Sequence, residues 1–229
     1  MKKLFLTMAV VAMSQLTFAQ ATEAPAADEK TTMTEEIEQV QLASDLIKYG
    51  YANYSATALL QGVEILYAVP TVEATNIEEF TRGEGVDEAK LQVVTYDFAK
   101  LIEDARKFAN GDANILAWAD RVAAQTEVPA TTLGAVGGAT ETHECVLANT
   151  TDTYRVRFYA QEQAEVLVSG DGDTDLDLYI YDENGNLIDS DTDRTDTCYC
   201  SWTPRWTGVF IIKIKNLGSV RNYYTMWTN

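Results

Sequence analysis

"GDGDTDLDLYIYDENGNL", residues 170–187, sets Asp171, Asp173, Asp175 and Asp177 at every second position and then runs into Asn184-Gly185. Period-two alternation marks a strand with one buried face. It puts Leu176, Leu178 and Ile180 on the core side, and Asp175, Asp177, Tyr179 and Tyr181 on the other. Asn184-Gly185 offers the two left-handed residues of a type I′ turn, so "NLID" is expected to return as the partner of a hairpin. An EF-hand loop is excluded, because that loop needs Gly at position 6 and Glu at position 12. Counted from Asp171, those places hold Leu176 and Asp182. A different calcium geometry stays open, since Asp171, Asp173 and Asp175 stand where a loop enters a strand. The competing reading is a solvated acidic strand edge.

The same alternation extends through the second half of the chain. "DTYRVRFYA" sets Tyr154, Val156 and Phe158 against Arg155, Arg157 and Tyr159. "HECVLA", "AEVLVSG", "NLIDSD", "TCYCSWTP", "GVFIIKIKN" and "RNYYTMWTN" follow the pattern, separated by Gly, Asn, Asp or Pro. About eight short strands within roughly 90 residues predict an antiparallel, jelly-roll-like β-sandwich over 141–229.

Ahead of it, the small-residue stretch "EVPATTLGAVGGATET" predicts a linker over 127–140. The segment 33–126 reads with helical period. "TMTEEIEQVQLASDLIKYG" opens on a capping-box pattern, Thr32 to Glu35. "SATALLQGVEILYAVP" starts at the N-cap Ser55 and stops at Pro70. "VDEAKLQVVTYDFAKLIEDARKFANGD" closes on Asn110 and Gly111, and "DANILAWADRVAAQ" begins at Asp112. Four amphipathic helices predict a small helical bundle. The acidic "TVEATNIEEFTRGEGVDE" between the two helix pairs reads as a loop. The fold class is thus α+β in two parts, helices first and sandwich second.

The N-terminus, "MKKLFLTMAVVAMSQLTFAQA", has two lysines, an apolar run and small residues at Ala19 and Ala21, the order of a secretory signal peptide. Cleavage after Ala19 or Ala21 is expected, with a flexible lead over 20–32, no lipid anchor, no membrane span, and a secreted protein, extracellular or periplasmic. Losing Lys2 and Lys3 leaves 15 basic residues against 35 acidic ones, which moves the formal charge from -18 to -20. Such a surface disfavours nucleic acid and anionic lipid and favours cations. Cys145, Cys198 and Cys200 fit an oxidising compartment, with one disulfide expected from Cys145 to either Cys198 or Cys200. The single His143 cannot complete a zinc site.

"DTYRVRF", "VLVSGDGDTDLDLYIYDENGNLI" and "WTPRWTGVFIIKIKN", with the turn at Pro204, Thr207 and Gly208, resemble the bacterial pre-peptidase C-terminal domain over about residues 140–229. The resemblance implies a jelly-roll-like sandwich on a secreted protein, related to collagen-binding domains of collagenases. It also implies calcium, carried onto Asp173, Asp175 and Asp177 with Glu141 and Glu144 as linker ligands. "ATETHEC" is less acidic than the family's usual linker, and no peptidase precedes it. The helical half resembles no characterised family.

Three functions compete. The first is a non-catalytic module that binds an extracellular or envelope polymer, protein or cell-surface component, with Tyr159, Tyr179, Tyr181 and Tyr199 as an aromatic surface. The second is an export or folding accessory stabilised by calcium. The third is a small hydrolase using Asp175 and Asp177, which lacks a nucleophile and base. No catalytic residue is assigned.

Overall fold

The computed structural model describes residues 32–69, 71–85, 96–126 and 139–229. The segment read as a signal peptide, most of the lead, residues 127–138 of the expected linker and residues 86–95 at the expected start of the third helix lie outside the described residues, while Ala139 and Thr140, expected as linker, are strand.

Four helices form in the segments read as helical: α1 (Glu35–Asn53), α2 (Ala56–Ala68), α3 (Phe98–Phe108) and α4 (Ala113–Thr126), with α3 starting only at Phe98, because Asp97 takes extended backbone and caps it there. Ser55 caps α2 by accepting the Ala58 N–H, and Asp97 caps α3 by accepting the Lys100 N–H. Asp112 Oδ1 receives the N–H groups of Asn114 and Ile115 at the start of α4. Asn110 and Gly111 both take positive φ after α3, as its C-terminal sequence predicts. The capping box at Thr32 does not form. The cap is Thr34, whose side chain makes no capping bond. Its backbone N–H goes instead to Glu165 of the sandwich, so a tertiary contact replaces the local one. Gly62 lets α2 lie close on α1, because a Cβ there would meet Ala43 O at 3.0 Å.

The eight strands read from the second half are all present: β3 (Ala139–Val146), β4 (Thr151–Phe158), β5 (Ala164–Gly170), β6 (Leu176–Tyr181), β7 (Leu187–Asp191), β8 (Thr197–Trp202), β9 (Gly208–Asn216) and β10 (Asn222–Thr228). The segment expected to be a loop adds two more, β1 (Thr71–Glu73) and β2 (Ile77–Thr81). β1 joins the edge of the first sheet, in the order β1-β3-β10-β5-β8, and β2 joins the second, β2-β4-β9-β6-β7. All pairs are antiparallel except β1 with β3. A bulge between Ile77 and Glu79 breaks the alternation of β2, and β1 has only three residues. Neither therefore shows a strand period in the sequence.

The sandwich core holds the residues assigned to it, among them Leu176, Leu178, Ile180, Tyr154, Val156 and Phe158, each at most 4% exposed. The Asn-Gly hairpin differs in detail. Only Gly185 takes positive φ, and the Asp182 carboxylate organises a longer turn by accepting the N–H groups of Asn184 and Asn186. A type I′ turn would leave that buried carboxylate without these donors.

The helices lie on the outer face of the first sheet. Leu167 and Trp227 join the helical core, while Val166, Val168, Tyr224 and Met226 face the other sheet. All seven residues of β5 are buried as a result. A strand covered on both faces loses the polar alternation of a half-exposed one. The layer order is helices, first sheet, second sheet.

No disulfide joins the cysteines, contrary to expectation. Cys145 is on β3 and Cys198 and Cys200 are on β8, with β10 and β5 between them. Three interstrand steps come to roughly 14 Å, well beyond the reach of a disulfide. Among the described residues no helix is long and apolar enough to cross a membrane.

Candidate functional site

The structure gives several of the acidic residues specific work. Glu141 and Glu144 are three apart on β3 and so point to opposite faces of the sheet. Glu141 faces the helices, its Oε1 lying 3.7 Å from His143 Nε2. Glu144 is ion-paired with Arg82 at the end of β2. Asp177 accepts the Tyr179 hydroxyl at 3.0 Å on the outer face of the second sheet. Asp173 is exposed on the β5–β6 loop, and Asp175 has a buried Oδ1 with no hydrogen-bond partner.

That orphaned oxygen would suit a metal cation. No set of three or more acidic, His or Cys side chains converges to hold a metal among the described residues. The five residues carried over for calcium do not form one site. Their residue types fit the ion, but two faces of one strand and two different sheets keep them apart. Neither Asp175 nor Asp177 lines the cleft formed where the helices meet the first sheet.

Other aspartates close the sandwich. Asp191 Oδ2 accepts the Tyr199 N–H at 2.9 Å, and Asp189 Oδ2 accepts the Ser201 N–H at 3.0 Å. These are the outward donors of edge strand β8, so carboxylates from β7 occupy positions that another chain's strand could otherwise take. At the opposite end, Tyr224 donates to Asp152 at 2.9 Å, Tyr154 and Tyr224 share a 2.7 Å bond, and Gly83 N–H donates to Asp152 at 2.9 Å. Burial pushes the Asp152 carboxyl up to about 6, against the opposing pull of those donors and of Arg82.

Where the helices meet the first sheet, a cleft of about 520 Å³ opens. Its walls are Ile47, Lys48, Tyr51 and Ala52 of α1, the segment 96–101 at the start of α3, the turn 169–173 after β5, and Tyr223 to Thr225 of β10. The floor is fixed by hydrogen bonds. Ser44 meets both Ser169, at 2.6 Å, and Tyr96, at 2.8 Å. Tyr96 stacks on Trp227 with centroids 6.0 Å apart, and burial pushes its hydroxyl up to about 12. The volume lies in the range of small-molecule pockets, and an apolar wall with a few placed polar groups is their usual composition.

One arrangement beside the cleft was not read from the sequence. Thr225 Oγ1 lies 2.9 Å from His143 Nδ1, with Glu141 behind the ring. It resembles a nucleophile, base and acid in series. The register explains it differently, since Thr225 and His143 are direct cross-strand partners. β10 is paired on both sides around Thr225, so its backbone N–H groups there are committed to the ladder and not turned toward an oxyanion. Among the thiols, Cys198 donates to the Leu176 carbonyl, and burial holds it far above its ordinary range. Such a thiol is a poor nucleophile.

The predicted aromatic surface is divided. Tyr159 is exposed, and Tyr179 and Tyr181 stack on the outer face of the second sheet with Lys213 over the Tyr181 ring at 5.1 Å. Tyr199 instead turns toward α1, packing on the helical core and donating to Glu165 at 2.6 Å.

No protein-family model matches the sequence. No curated protein matches it either. Among solved structures, the chain is similar to the pre-peptidase C-terminal domain of a collagenase from Bacillus anthracis. That match has 10% identity and a TM-score of 0.36, covering 39% of this chain and 88% of that one. It is also similar to PliG of Aeromonas hydrophila, a periplasmic inhibitor of g-type lysozyme, at 9% identity and a TM-score of 0.32, covering 43% and 91%. A designed double-stranded β-helix matches at 11% identity and a TM-score of 0.27, covering 39% and 97%. None reaches a TM-score of 0.5, and no function passes to this chain through them.

Proposed function

We propose that the chain is an exported, non-catalytic binding protein that takes part of an extracellular or envelope component into the cleft between α1, α3 and the first sheet. The cleft itself carries this reading: it is preformed, aromatic on several sides and floored by a locked Ser44–Ser169–Tyr96 set. The hydroxyls of Ser44, Ser169 and Thr225 and the thiol of Cys198 are each engaged in structural hydrogen bonds. The leader supports export, and the excess of acid keeps the protein away from anionic polymers.

Amide chemical shifts followed during titration with a small-molecule fragment set and with envelope extracts test the reading. Shifts should gather on 47–52, 96–101, 169–173 and 223–225. A second reading, a polymer lying across the second sheet, draws on the stacked Tyr179–Tyr181 pair with its lysine. It would move 177–181 and 211–215 instead.

A further inference from the structure

Two lysines and three aspartates line the cleft, and they are not equally available. Lys48 Nζ donates to Asp196 Oδ1 at 2.8 Å and Thr197 Oγ1 at 2.9 Å. Lys100 is ion-paired with Asp104. Both ammonium charges are therefore already met. Among the described residues none of the three aspartates is in an ion pair. Asp97 Oδ1 accepts the Lys100 backbone N–H at 3.1 Å. The Asp171 oxygens accept the N–H groups of Asp173 and Tyr223. Asp173 is exposed at the lip, and among the described residues no hydrogen bond or ion pair reaches its carboxylate.

Three tyrosines, Tyr51, Tyr96 and Tyr223, stand around these carboxylates. Aromatic faces attract cations, most strongly where water is partly excluded. One ring already does so, since the Arg221 guanidinium lies 6.0 Å from the Tyr223 centroid. Burial also raises the Asp171 carboxyl above its ordinary value, a cost that a neighbouring cation relieves. An anion would find both lysines occupied and three negative charges opposing it.

Resting on the reading of the cleft as the ligand site, we propose that the group it takes is an alkylammonium with an apolar body, presented either by a free amine or by a lysine side chain.

The full mature chain is titrated with hexylammonium, hexanol and hexanoate, and with acetyl-lysine-amide as the peptide arm, under amide-shift detection. Hexylammonium or the lysine derivative should bind about tenfold or more tighter than hexanol, with hexanoate weakest. D173N, altering an exposed side chain, should weaken ammonium binding several-fold and leave hexanol binding unchanged. D171N/D173N should weaken it further. Tighter binding of the free amine points to a small-molecule source and tighter binding of the lysine derivative to a protein source, and either upholds the proposal. Hexanol or hexanoate binding as tightly as hexylammonium, or D173N without effect, overturns the ligand class while the cleft stands as a site. No cleft shift with any probe overturns both.

Discussion

Ser44 on α1 and Ser169 on β5, both buried, share a hydrogen bond of 2.6 Å across the boundary between the helices and the sandwich. With Thr34 on Glu165 and Lys48 on Asp196, it ties the first helix to the first sheet at three heights. S44A should cost about 1–3 kcal/mol, because it leaves buried hydroxyls of Ser169 and Tyr96 without their partner. Helix circular dichroism and tryptophan fluorescence should follow one urea transition, since Trp227 belongs to the helical core and Trp202 to the sandwich core. Two separated transitions would show the parts to be independent.

Asp152 should make stability depend on pH in an unusual direction. Its folded carboxyl titrates at about 6 against 3.8 for an ordinary aspartate, so between those values the folded state binds more protons than the unfolded one. Stability from this group is greatest below about pH 4, falls as pH rises toward 6, and is flat above. D152N should remove that slope, as Asn still accepts from Gly83. Denaturant midpoints of both proteins across pH 4–7 check the sign.

D189A/D191A should expose the Tyr199 and Ser201 N–H groups of β8. An uncovered edge strand pairs with other chains. Sedimentation velocity should show concentration-dependent association that the parent lacks, with the far-ultraviolet spectrum unchanged.

Calcium offers a sharp test of the dispersed carboxylates. With Glu144 held by Arg82 and Glu141 on the other face of β3, millimolar calcium should move the melting temperature by less than about 1 °C beyond a sodium control of equal ionic strength. A clear rise lost with chelator would require the ligands to gather.

Much of this architecture is legible in the sequence. The period of Leu176, Leu178 and Ile180 fixes the strand and its inner face, and Ser55 and Asp112 mark their helix starts as local rules predict. What escapes is set by tertiary context. The bulge in β2 hides a strand inside an acidic stretch. Cys145 looks like a partner of Cys198 or Cys200 until the strand order separates them. The carboxylates resemble a metal cluster because the donors they serve, such as the N–H groups of β8, belong to distant segments. The cleft is built from four separate stretches, and only the start of the aspartate stretch, Gly170 to Asp173, belongs to a motif. His143 and Thr225 are 82 positions apart and meet only through the register of β3 and β10.

Ala52 lines the cleft from the exposed end of α1, so an indole there would fill the opening without entering either core. The most direct measurement is therefore the affinity of A52W, beside the parent, for whichever ligand the titrations yield. Unchanged unfolding with binding weakened by about 100-fold or more is the predicted result, the steric loss of a whole pocket. Equal affinity in A52W and parent would place the ligand elsewhere and contradict the account.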